Sequence, residues 1–583
     1  MPDRTLQSAC SFLCVFALSL ISVGCSTTPD LPGKAGVATA HPLATQAAFR
    51  TLDRGGNAFD AAIAAAATLA VVEPYSSGMG GGGFWLLQKR NGDTSFIDAR
   101  EKAPLDASRD MYLDARGYPV PSRSKNGALA AAIPGQAAAF DHIARHHGRL
   151  PLNATLQDAI QLAEDGFKIN RKYRDMVHFR LDELRKHQAA ASTFLENGQI
   201  PGRGFVVKQP ALAKTLRALA ARGKAGFYQG EVAINLVRDV RKAGGIWRME
   251  DLAGYNVVER EPVQFVFHGK TRVTTVGLPS SGGIALQQML GIMEGINFSD
   301  FTPAQVMMAK VAVMDEAFRN QAAYMGDSDF VSVPVKDLTR KTRLNYLART
   351  IRKNISQSGY VADWQTSDGQ TSDGHTEEKA GLEASDEHEY HGASHIAVID
   401  KYGNRASVTL GLNLPFGSGF MSRSTGVVLN NEMDDFSINP GRPDARGLTG
   451  NEQNAIAPGK RPLSSMSPGV VESDQRVAVI GSSGGSRIIT MVFQAILAIT
   501  EGRNAQETVT RPRYHFQHRP EYIQYEKGAI PADVIKEMRL SGYAFKPLGR
   551  RYGNMQMILL DKQTGKLEAA TDPRGAGQAI VRN

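Results

Sequence analysis

The chemistry-bearing residues gather in the last third of the chain. Glu432, Asp434 and Asp435 form an acidic knot just after the apolar run 426–429, which reads as a strand, and Ser464-Ser465 form a polar pair further on. Carboxylates and hydroxyls in such groups accept or donate hydrogen bonds to a charged ligand, although an acidic turn and a polar loop have the same composition. Gly481-Ser482-Ser483-Gly484-Gly485 fits GxSxG between a strand-like run, 477–480, and a helix-like segment, 487–500. That context suits a nucleophile elbow, with Ser483 attacking and His515 or His518 as its base. Against it, little sequence separates the turn from those histidines, and no regular alternation of strands and helices precedes it. Read otherwise, the same turn offers the backbone N–H groups of Gly484 and Gly485 to an oxyanion. The stretch 78–83 satisfies GxGxxG, but it follows a helical pattern and leads into the apolar run 84–87. A dinucleotide site needs strand, turn, then helix, so close backbone packing is the better reading.

Several elements must position these groups. Two apolar runs, 395–399 and 406–410, flank the polar turn 401–404, which predicts a β-hairpin. Residues 42–72 predict two helices: Pro42 opens the first, Gly55-Gly56 ends it, Asn57 caps the second and Pro74 stops it. The alanines of 61–67 make the second helix small and apolar nearly all round, as a packed interior helix would be. A strand is expected at 95–98, mostly helical scaffold over 135–260, and a turn at 278–283 before helical segments that run to about 347. Within the scaffold, 155–163 places Leu156, Ile160 and Ala163 on one face, with Gly166 as the stop. Residues 364–392 carry a tandem Gln-Thr-Ser-Asp-Gly repeat and an acidic polar run, the composition of a linker.

At 583 residues and 42% apolar content, the chain can bury a large core. Its formal charge of +9 is scattered without an interleaved aromatic patch, which argues against a nucleic-acid partner. Residues 1–25 read as an export signal: Arg4 in a polar start, an apolar run over 10–23, then Gly24-Cys25. The run is too short for a membrane span. Cleavage there would remove Cys10 and Cys14 and leave Cys25 alone, so neither a disulfide nor a cysteine-based metal cluster is expected.

The motifs taken together are similar to those of the γ-glutamyltransferase family. HPLATQAAFRTLDRGGNAFDAAIAAA at 41–66, LNNEMDDFS at 429–437, KRPLSSMSP at 460–468 and GSSGGSRIIT at 481–490 occur in the family's order and cover most of residues 38–583. The resemblance implies an α+β fold of the N-terminal-nucleophile (Ntn) hydrolase type, an αββα sandwich. It divides the chain into a large-subunit-like region, 26–363, the linker 364–392 at the self-cleavage junction, and a small-subunit-like region, 393–583. It also implies the roles of the site residues. Arg100, Ser464 and Ser465 would hold the α-carboxylate of a γ-glutamyl compound such as glutathione, Glu432 and Asp435 its α-amino group, and Asn413 would orient it. The family requires no cofactor or metal for this reaction. Ser22-Val23-Gly24-Cys25 resembles a bacterial lipoprotein signal, which places the chain in the cell envelope, anchored to membrane through Cys25.

Two departures fall at the reacting centre. Where the family has its threonine nucleophile this chain has Ala393, and where a second threonine supports that hydroxyl it has Gly411. Alanine has no oxygen with which to attack the preceding carbonyl, and without that cut no α-amine is freed as base. The expected function is therefore binding of γ-glutamyl compounds without self-cleavage or turnover. Ser394 is the alternative nucleophile, which would give two fragments of one precursor, but alternation along a strand points its hydroxyl away from the face of residue 393. The elbow at Ser483, where proline is common in the family, is the minor alternative. Arg446, in the lid-like stretch 440–450, stands where some relatives carry an aromatic residue.

Overall fold

The computed structural model describes residues 33–358, 392–441 and 450–583. Cys25, Arg446 and nearly all of the linker 364–392 lie outside them. The two-helix reading of 42–72 holds, with helices Pro42–Asp53 and Ala58–Val72. Asn57 caps the second: its side-chain oxygen accepts from the N–H groups of Phe59 and Asp60, and the Asp60 carboxylate accepts from the N–H of Asn57. A reciprocal cap of this kind is worth about 1 kcal/mol to a helix start. Every residue of Ala58–Val72 is buried, so its alanines serve close packing on all sides.

Two sheets stack face to face. Seven strands make the first, in the order Gln578–Arg582, Ala35–Thr39, Gly392–Ile399, Arg405–Asn413, Gly82–Gln88, Thr94–Ala99 and Val258–Arg260. Six make the second: Leu567–Thr571, Gln556–Asp561, Arg476–Gly481, Gly469–Glu472, Thr271–Thr275 and Val263–Phe267. All these pairings are antiparallel, which separates the fold from the parallel sheet of an α/β-hydrolase. Each sheet draws strands from both sides of the linker.

Burial follows the two-residue period of a strand. Ile396 and Val398 of the expected hairpin join a core shared with helix Ala58–Val72, whereas Ala397 and Ile399 join the core shared with the second sheet. On the facing strand, Ala406, Val408 and Leu410 turn to the helices, and Ser407 donates to the carbonyl of Ile480 across the sheets. Helices Gly282–Glu294, Pro303–Tyr324 and Arg487–Thr500 cover the second sheet, completing the four αββα layers.

The glycine-rich turn packs as tightly as expected: a Cβ at Gly80 would lie 2.0 Å from the carbonyl oxygen of Val428, and one at Gly81 2.1 Å from that of Gly411. One expectation is corrected. The run 426–429 is not a strand but makes only isolated bridges, Val428 with Met421 and Leu429 with Gly80. Gly426, left-handed at φ 69°, turns the chain there.

Candidate functional site

The hairpin register sets the floor of a cavity of about 400 Å³. Ala393 pairs with Gly411 and Ser394 with Leu410. Just beyond, the pairing slips at a bulge, and Asn413 takes a left-handed conformation (φ 72°) that asparagine tolerates well. Ala393, Asn413, Arg100, Glu432, Asp435, Ser464, Ser465 and Gly485 all line the cavity. Arg100 follows strand Thr94–Ala99, and Glu432–Asp435 form a single 3₁₀ turn. The Ser464 segment is pinned by Ser281, whose N–H and hydroxyl both donate to the Ser464 carbonyl. Gly484 and Gly485, at φ 143° and 58°, make the turn between strand Arg476–Gly481 and helix Arg487–Thr500.

Arg100 is the electrostatic centre. Its guanidinium is buried, with Nη2 donating to Asp435 Oδ2 at 2.6 Å and to the Leu463 carbonyl at 3.1 Å, and Nε donating to the Pro462 carbonyl at 3.1 Å. Nη1 lies 2.7 Å from Glu432 Oε2, an ion pair not aligned as a hydrogen bond, and 3.6 Å from Glu101 Oε2. Burial disfavours the arginine's charge, but Glu432, Asp435 and Glu101 outweigh it and hold its pKa above the ordinary value. Three carboxylates thus surround one cation. Burial pushes Glu432 well above the usual carboxylate range despite the pull of Arg100, and pushes Glu101 up to about 7. The arrangement has room, in charge, for a second cation.

Ser394 takes the other face of its strand. Its hydroxyl donates to Glu73 Oε2 at 2.8 Å and accepts from Ser77 at 3.4 Å, and Tyr75 donates to the second oxygen of Glu73. Glu73 and Ser394 are fully enclosed there, and neither lines the cavity. The constellation for an elbow at Ser483 does not form either. His515 is held by Thr490 and Gln517, and His518 by Asp315.

Sequence reasoning gives no role to three residues. Met466 is one: a Cβ at Gly411 would lie 2.9 Å from its terminal methyl and 3.6 Å from Glu432 Oε1, so a thioether occupies the space opposite Ala393. Glu101 adjoins Arg100, yet its burial depends on packing across strands, which no local pattern reveals. The third, His395, sits between the sheets with Nδ1 2.9 Å from Thr409 Oγ1, and burial pushes its pKa down to about 3. A Cβ at Gly481 would meet its ring at 2.3 Å, so glycine there makes room for the imidazole.

Comparison with known proteins agrees with this geometry. The sequence model described as Gamma-glutamyltranspeptidase matches residues 44–582. A glutathione hydrolase proenzyme of Escherichia coli (strain K12) is 37% identical over 543 residues, covering 92% of this chain and 90% of that protein. Among solved structures, a cephalosporin acylase from Bacillus halodurans superposes with a TM-score of 0.78 at 26% identity, over 95% of this chain and 96% of that one. Helicobacter pylori γ-glutamyltranspeptidase gives 0.52 at 37% identity, over 54% of this chain and 90% of that one. With the family's motifs, fold and extent all matched, this chain belongs to the γ-glutamyltranspeptidase family.

Proposed function

We propose that this protein binds the amino-acid head of γ-glutamyl compounds, glutathione-like molecules included, and persists as one chain without turning them over by the family's threonine chemistry. One observation carries the reading: the cavity floor is the methyl group of Ala393, and the neighbouring hydroxyl, that of Ser394, is committed to Glu73 on the opposite face. Binding is supported by charge. An α-amino acid head is a zwitterion, and its ammonium would balance the carboxylate excess of Glu432 and Asp435 while its carboxylate meets Arg100, Ser464 and Ser465. Asn413 would orient the ligand, and Gly484-Gly485 would remain as a donor pair with no oxyanion to serve. By the lipoprotein-like signal, the chain is exported and held in the bacterial cell envelope through lipid on Cys25.

The test begins with the intact mass of the protein made in its natural host. A single chain beginning at a lipid-bearing Cys25 is expected, whereas two fragments parted before Ser394 would overturn the single-chain reading. Millimolar glutathione or glutamate should then raise the unfolding temperature, because a ligand that binds only the native state stabilises it. No shift at that concentration would refute the binding.

A further inference from the structure

Outside the cavity lining, the structure brings together ligating side chains that no motif announced. His142 and His146 stand one turn apart on helix Gln136–His146, His147 follows at its end, and Glu259 lies on strand Val258–Arg260, the last of the seven-stranded sheet. His142 Nε2 is 2.7 Å and His147 Nε2 3.3 Å from one oxygen, Oε1 of Glu259. One ligand atom from each of the three residues falls within 4.8 Å of the others. The His142 and His147 side chains are partly sheltered, at 24% and 11% exposure, and that of Glu259 is open at 45%.

We propose that His142, His147 and Glu259 form a binding site for a divalent transition-metal cation of the zinc class. Two imidazole nitrogens and a carboxylate oxygen suit such a cation, with water as fourth ligand. Bond lengths near 2.1 Å put ligand atoms on a tetrahedral centre about 3.4 Å apart. The His147–Glu259 separation already matches, and the His142–Glu259 separation must open by about 0.7 Å, within reach of a side chain this exposed. His146 packs against His142 with ring centroids 4.6 Å apart and the rings tilted at 44°, but it is not one of the three converging groups.

A cation here would tie a helix end to the outermost strand of the sheet. Beside Glu259, Arg260 donates to Asp98 Oδ2 at 2.8 Å, and Asp98 Oδ1 accepts from the N–H of Arg100 at 2.9 Å. The site is thus joined through one carboxylate to the backbone of the cavity's arginine.

Titration of the tag-free full chain with Zn²⁺, followed by calorimetry and by metal content after dialysis, tests the site. One cation per chain is expected, with affinity lowered at least tenfold by His147→Ala and by Glu259→Gln and little changed by His146→Ala. Binding that survives His147→Ala and Glu259→Gln unaltered, or no binding at all, would overturn the proposal. Each variant is also melted in chelator. If His147→Ala unfolds early, the exposed Glu259→Gln alone decides: retained affinity refutes the site and a tenfold loss upholds it.

Discussion

Replacing Arg100 by methionine keeps the bulk of the side chain and removes the one guanidinium that three carboxylates share. Glu432 and Asp435 lose a cation at 2.7 and 2.6 Å, and Glu101 one at 3.6 Å. The side chains of Glu432 and Glu101 are 1% and 0% exposed, so water cannot take the arginine's place. Stripping one partner from a buried ion pair costs about 3–5 kcal/mol, and that is the loss expected at pH 8. The loss depends on pH in a definite direction. Burial already raises Glu432 and Glu101, and removing Arg100, which pulls both down, raises them further. A carboxylate raised in the folded state favours folding below its unfolded pKa and loses that contribution as pH rises through its folded value. Arg100→Met should therefore lie closer to the parent at pH 5 than at pH 8, by at least about 1.4 kcal/mol, one further pH unit on one carboxylate. Urea unfolding, followed by the fluorescence of the buried Trp85 and Trp247, measures the gap at each pH. A gap below about 1 kcal/mol at pH 8, or one equal at both pH values, would refute the view that this arginine neutralises the cluster.

Two further outcomes follow from the same geometry. Ala393→Thr alone should leave the chain uncut with little activity, because Gly411 offers the new hydroxyl no support; adding Gly411→Thr should improve both, provided the Met466 methyl moves aside. Full activity in the single variant would show that support to be unnecessary. Glu101→Gln should remove a stability loss between pH 4.5 and about 7, gaining on the parent by on the order of 3 kcal/mol from pH 4 to pH 8. Parallel stability curves for the two proteins would show that Glu101 does not titrate there.

Most of the site was legible because it rides on motifs. Arg100, Asn413, Glu432, Asp435, Ser464, Ser465 and Gly485 were each named from the sequence, and all line one cavity. The opposite faces of residues 393 and 394 followed from strand alternation alone. The second helix was equally readable, since its cap and its alanines are local signals. What could not be read depends on distance in sequence. Glu73 meets Ser394 across 321 positions, Met466 fills the gap at Gly411, and Glu259 faces His142 and His147 from another element. The run 426–429 misled for the reverse reason: its composition is that of a strand, but the neighbouring turn gives it no continuous partner.

The order of the seven-stranded sheet has a consequence for how the molecule is made. Strand Ala35–Thr39 lies between Gln578–Arg582 and Gly392–Ile399, so a segment near the start of the chain finds both its neighbours far downstream. One edge waits for residues 396–399 and the other for residues 578–582, and pairings so distant in sequence close slowly. The first sheet therefore acquires one outermost strand, Gln578–Arg582, last. Once closed, the shared sheets work the other way: a nick between residues 358 and 392 would release neither piece, since each supplies strands to both sheets.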